Sequence, residues 1–356
     1  MKKTNHLNFV NQHIYVGLDV HYKRWVVSII CNNLFLGSFS QDPDPMRLVN
    51  HLRKNYPGAT YHCVYEAGFS GFWLYYALIE NGVDCIVINP ADVPTTHKEK
   101  DRKTDKIDSR KLCRCLSLGQ LEGIYVYDRQ QYEERSLVRA RTALVQEQTR
   151  CKNRIKGLLK FFGIEITDEN IKTHWSNKYL QYLDNLKTEY GWTKRALTLY
   201  LTQLRSYRKL ISEVTKDIRN LSQTQRYQND VTLLKRIPGI STLTAMILLT
   251  ELGDIQRFRN VDKLCSYIGL IPSEHSSGES ENRGKMTKRG KGILKAVIIE
   301  SSWTAVRKDP KLLMYFNHLS KRVKKTRAII SVSRKLVARI MLVLKDKDQY
   351  EFQKAS

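Results

Sequence analysis

The chain has 356 residues, with 60 Lys or Arg against 35 Asp or Glu and a net charge of +25. That length exceeds one compact core and calls for two or three domains, and the charge selects a polyanionic partner, nucleic acid first and an anionic membrane surface second. No apolar run reaches the roughly 20 residues of a membrane span, MKKTNHLNFVNQH lacks the apolar core of a signal peptide, and seven Cys without a C-x-x-C pair exclude a disulfide framework or zinc module, so a cytoplasmic protein with free thiols is expected.

Alternating apolar residues predict strands at IYVGLDV (14–20), RWVVSII (24–30) and LFLGSFS (34–40), with Asn32 and Asn33 as a turn. Asp44 as N-cap and Pro45 at the first helical position open a helix that buries Leu48, Val49 and Leu52. A strand at ATYHCVYEAG, a helix ending at Gly82, a short strand at VDCIVINP and a helix carrying KEKDRKTDKIDSRK (98–111) follow. This order predicts an α/β domain over 1–128 whose first three strands form an antiparallel meander.

From 129 to 228 the strand signal is gone. Leu137, Leu144, Cys151 and Leu158 repeat every seven residues, as do Leu197, Leu204, Ile211 and Ile218, with Leu201, Val214 and Leu221 widening the second seam. Two long helices joined by a connection at DENIKTHWSNKYLQYLDNLKTEYGW are expected, packed as a hairpin within one chain or as a dimerising coiled coil. Residues 229–356 form a mostly helical third domain, which opens on LLKRIPGIS and closes on a basic tail.

Asp105 and Asp108, three apart, share a helix face, where they either pair with Lys103, Lys106, Arg110 or Lys111 or jointly hold a divalent cation. Asp19 and Glu66 are acids at the ends of apolar strands. Side by side, those strands would project both carboxylates at one sheet edge, where the helix of Asp105 and Asp108 can cross. Four such carboxylates suit two Mg²⁺ ions acting on a phosphodiester, and flanking cations such as Arg102, Lys103 and Arg110 would draw the phosphate backbone onto them.

Asp19 in GLDVH, Glu66 in YEAG and the KTDKIDSRKL pair resemble the DEDD set of ribonuclease-H-like (RuvC-like) transposases. With LLKRIPGIS and YIGLIPSEHSSGESENRGKMTKRGKGILK, the chain resembles the IS110 family of insertion-sequence transposases, the bridge-RNA-guided recombinases. The resemblance implies a RuvC-like domain, a coiled-coil spacer and a C-terminal transposase domain. It also implies a nucleophilic serine, Ser277 in HSSG, that forms a covalent serine–DNA intermediate. Ser276 and Ser273 are the alternatives, and His275 beside them is a possible base on which nothing rests. Double-stranded donor and target DNA, a structured noncoding guide RNA, a homo-oligomer (dimer or tetramer) and action at a prokaryotic nucleoid are implied too.

Downstream, Arg283, Lys285, Lys288, Arg289 and Lys291 alternate with Gly284, Gly290 and Gly292, a pattern for phosphate contact or for a solvated basic loop. RIPGIS reads either as a helix-hairpin-helix-like element or as a plain turn with Ser241 as cap. Two other functions fit the residues: a junction-resolving nuclease without serine chemistry, and a non-catalytic nucleic-acid scaffold.

Overall fold

Asn32 and Asn33 take positive φ (49° and 63°), the backbone that a two-residue hairpin demands, so β2 (Trp25–Cys31) and β3 (Leu34–Gln41) pair antiparallel. The computed structural model describes residues 9–94, 104–166, 175–188, 191–274, 283–287 and 290–347, without the side chains of 273, 274 and 283–285. The chain divides into two compact units, Met1–Arg129 and Gln130–Ser356.

In the first unit β1 (His13–Val20) pairs antiparallel with β2 and parallel with β4 (Thr60–Glu66), which pairs parallel with β5 (Asp84–Ile88). The sheet order is β3-β2-β1-β4-β5. The expected meander is present, and the mixed sheet is compatible with a ribonuclease-H-like domain. Helices α1 (Pro45–Asn55, capped by Asp44) and α2 (Trp73–Glu80) lie on one face, where Phe39 meets His51 and Trp25 meets Trp73. The opposite face takes α3 (Asp105–Ser117), which packs on β1, β2 and β4.

The second unit begins at the second residue of the long α4 (Arg129–Phe161) and continues with α5 (Asn177–Asn185) and the long α6 (Gly191–Leu221). The seams meet within one chain: Cys151, Ile155 and Leu159 of α4 share a core with Leu197, Leu201 and Leu204 of α6. The stretch read as a connection contains α5, capped by Ser176, which adds Tyr179, Leu180 and Leu183 to that core. Its short apolar pattern amid Asn, Lys and Gln hid it.

Helices α7 (Gln228–Lys235), α8 (Thr242–Leu252) and α9 (Val261–Ile268), a hairpin of β6 (Pro272–Glu274) and β7 (Arg283–Met286), and α10 (Gly292–Lys308), α11 (Pro310–Ser320) and α12 (Lys325–Asp346) complete the unit. Residues 245–252 of α8 are all buried, so it is the central helix of this core. The RIPGIS turn joins α7 to α8, with Ser241 as N-cap. Gly239, at φ 91°, lies against α10, where a Cβ would come 2.3 Å from the Ser301 carbonyl oxygen. The glycine is therefore required by packing between helices. Among the described residues no helix is long and apolar enough to cross a membrane.

Candidate active site

The sheet register brings two of the acids together. Leu18 pairs with Tyr65 across the parallel β1–β4 ladder, so the next residues, Asp19 and Glu66, stand at the same end of neighbouring strands. They follow the alternation of Gly17 and Val64, which are partners in the ladder and face α3. Thr104 caps α3 by accepting from the Ile107 N–H, which starts the helix at Asp105 and puts Asp105 and Asp108 in its first turn.

How closely α3 approaches the sheet is set by Gly17. A Cβ there would lie 2.1 Å from the Ser109 carbonyl oxygen and 2.5 Å from the Cys113 nitrogen, both backbone atoms of α3. The helix is pinned by buried polar contacts: Cys113 Sγ donates to the Tyr15 carbonyl (3.0 Å), and the Ser28 and Ser109 hydroxyls lie 2.9 Å apart. Gly17→Ala is therefore expected to destabilise the first unit by about 1–3 kcal/mol, since backbone cannot swing aside. A melting curve checks this, and a wild-type melting temperature would refute the account.

One ligand atom from each of Asp19, His21 and Asp105 lies within 4.8 Å of the others. His21 Nε2 is 3.2 Å from Asp19 Oδ2 and 3.5 Å from Asp105 Oδ1. Burial raises the Asp19 carboxyl above its ordinary value; His21 opposes the rise, and the negative charges of Asp105 and Asp108 add to it. Asp19, Asp105 and Asp108 thus form one electrostatic cluster, with Glu66 on the adjacent strand end. Crowded hard oxygen donors of this kind fit a divalent cation, whose charge would relieve their repulsion.

His21 and Gly17 were not singled out from the sequence, although GLDVH contains both. The i, i+2 spacing of Asp19 and His21 is the signal available for the histidine. A lone strand glycine gives no hint of which helix will cross it.

Of the predicted phosphate contacts, Arg110 lies on α3 with its guanidinium 4.0 Å over the Phe35 ring. Lys291 is placed beside Tyr267, its N–H donating to that residue's carbonyl and its Nζ 5.5 Å from the ring centroid. Gly290 serves close backbone packing, because a Cβ there would come 2.7 Å from Gly269. Arg283 and Lys285 lie on β7, without described side chains. Arg102, Lys103, His275, Ser276, Ser277, Lys288 and Arg289 lie outside the described residues, as does the side chain of Ser273.

Two family models match this chain: a DEDD transposase model of the IS110 type over residues 16–164, and the transposase IS116/IS110/IS902 family over residues 231–317. The first spans β1 to the end of α4 and so includes all four acids. A putative transposase of Sinorhizobium fredii is 29% identical over 68% of this chain, which spans only 58% of that relative's length. The transposase for insertion sequence element IS1533 of Leptospira borgpetersenii is 26% identical over 69% of this chain and 72% of its own. That for IS1111A of Coxiella burnetii is 24% identical over 80% and 77%. With a DEDD-type domain carrying clustered acids before α4 and the second family segment around the α8 core, the chain belongs to the IS110 family of transposases.

Proposed function

We propose that this chain excises and inserts an insertion sequence by Mg²⁺-dependent DNA strand cleavage and rejoining through a covalent serine–DNA intermediate. The observation that carries the reading is the gathering of Asp19, Asp105 and Asp108, with Glu66 in register, in a chain of net charge +25. Asp19, Glu66, Asp105 and Asp108 would hold two Mg²⁺ ions, which when bound polarise the scissile phosphate and stabilise the departing oxygen. His21, between Asp19 and Asp105, orients both carboxylates. Arg102, Lys103 and Arg110 offset the repulsion between the acids and the phosphate backbone.

Ser277 Oγ forms a bond to phosphorus as the bond from phosphorus to the departing strand's oxygen breaks. The serine gives up its proton and the departing oxygen takes one. The phosphoserine ester retains the bond energy, so a hydroxyl of the new partner strand can displace the serine without ATP. Arg283, Lys285, Lys288, Arg289 and Lys291 hold the DNA backbone in this reading. A structured guide RNA pairs with donor and target, and a homo-oligomer supplies the several active sites that two duplexes need.

The test uses purified full-length chain with a duplex carrying the element's end, resolved on a denaturing gel. In Mg²⁺ the wild type yields a covalent protein–DNA species, and Ser277→Ala yields none. Unchanged cleavage by Ser277→Ala would leave a hydrolysing nuclease instead. DNA binding without cleavage in Mg²⁺ or Mn²⁺ would remove the enzyme reading.

A further inference from the structure

Beside the acids, on the first unit, lies a cavity of about 550 Å³ between α3 and the outer strands, lined in part by Val26, Ser38, Ser40, Thr104 and Lys106. The register explains its position. Asp19 pairs with Val26 and Val26 with Ser40, so Ser40, Val26, Asp19 and Glu66 form one row across the sheet on the α3 face. Ser40 is two strands from Asp19, about 10 Å at ordinary strand spacing. The row before it, Ser38–Ser28–Gly17, is covered by α3: the Ser28 hydroxyl lies 2.6 Å from that of Ser38 and 2.9 Å from that of Ser109. The cavity is the place where the sheet emerges from under the start of α3.

Its walls differ in chemical character. The floor is the apolar Val26, the outer wall carries the hydroxyls of Ser38 and Ser40, and the inner wall carries Lys106 next to Asp105. Lys106 and Arg110 are spaced i, i+4 on α3, about 6 Å apart along the axis, close to the separation of successive phosphates in a nucleic acid strand. Arg110 lies over Phe35 of β3, so this face of α3 looks toward the same strand as the cavity.

Building on the strand-cleavage reading, we infer that this cavity is a subsite for the nucleotide next to the scissile phosphate on the DNA strand being cut. Lys106 takes the neighbouring phosphate, Arg110 the one beyond, and the sugar and base rest on Val26 between the serine hydroxyls and the helix. A hollow of about 550 Å³, in the range of small-molecule sites at about 300–1,000 Å³, has room for one nucleotide. Lys106 is a positioning residue: it fixes where the phosphate lies relative to the carboxylates and takes no part in bond making.

Two measurements on the full chain test this, both with a duplex carrying the end of the encoding insertion sequence. In the first, lysine acylation is read by mass spectrometry with and without DNA. Lys106 reactivity is expected to drop about tenfold on binding, as phosphate engagement requires, while exposed Lys54 on α1 is unchanged. In the second, Ser40→Trp fills the cavity at an exposed position and is expected to raise KM for cleavage about tenfold with little change in kcat. Equal Lys106 reactivity with and without DNA overturns the subsite even if the duplex is cleaved, and leaves the activity standing. Protection of Lys106 without any cleavage supports the subsite and refutes the activity. A Ser40→Trp chain with wild-type KM overturns the subsite as well.

Discussion

Changing Asp19 to Asn is expected to lower strand cleavage about a thousandfold, equivalent to about 4 kcal/mol of transition-state stabilisation. The substitution keeps the shape of the side chain and removes one charge from the cluster with Asp105 and Asp108. The fold should tolerate it well. The Asp19 carboxyl sits above its ordinary value because burial and the two neighbouring acids disfavour its charge, so the ionised form destabilises the metal-free fold. That penalty is present at neutral pH and vanishes as pH falls through the raised folded value. Asp19→Asn is therefore expected to melt at or above the wild-type temperature in EDTA. Mg²⁺ should raise the wild-type Tm, because a ligand of the folded state stabilises it by mass action, and should raise that of Asp19→Asn much less. Wild-type cleavage by Asp19→Asn, or equal Mg²⁺ stabilisation of both chains, would remove Asp19 from the metal site. Asp105→Asn and Asp108→Asn are each expected to lower cleavage and the Mg²⁺ stabilisation in the same direction.

The contrast between the two units shows what can be read from residues alone. Strand alternation, the Asn32–Asn33 turn and the Asp44–Pro45 helix start were legible because each depends on neighbours a few positions away. That Asp19 and Glu66 end neighbouring strands at the same side of the sheet was also legible, because an acid ending an apolar strand has few places to go except a sheet edge. What brings Asp105 and Asp108 to Asp19 was not. It depends on Gly17, whose missing Cβ admits α3, and on Ser28, whose hydroxyl finds Ser109 81 positions later. Gly290 carries the same lesson in the other direction. The sequence places it in a basic, phosphate-like setting, yet its hydrogen-only side chain is needed for contact with Gly269. Glycine in a motif records that two backbones come close, and whether the second belongs to protein or to nucleic acid is a tertiary fact.

Glu251→Gln is expected to destabilise the second unit by about 3–5 kcal/mol, a drop in Tm of about 10 °C for a unit of this size. Glu251 sits on the central helix α8 with its side chain fully buried. Arg135 Nη2 donates to its Oε2 at 2.9 Å, and Arg139 donates through Nε to Oε1 at 2.5 Å and through Nη2 to Oε2 at 3.1 Å. Gln131 of α4 adds a bond to the Leu249 carbonyl, so one end of the long α4 is fastened to α8 by polar contacts. Burial by itself would raise the Glu251 carboxyl, but the two guanidinium groups outweigh it and hold the carboxyl below its ordinary value. A carboxyl depressed in the fold contributes stability above its unfolded pKa of about 4.3, and that contribution is lost as pH falls toward the folded value. The cost of the variant exceeds the net worth of the intact pair, because Arg135, itself only 8% exposed, is left charged and without its anion. Denaturant unfolding at pH 7 and near pH 3 separates the contributions: the difference between wild type and Glu251→Gln should be large at pH 7 and shrink in acid. Equal stability of the two chains at pH 7 would mean that apolar packing around α8 holds α4 unaided.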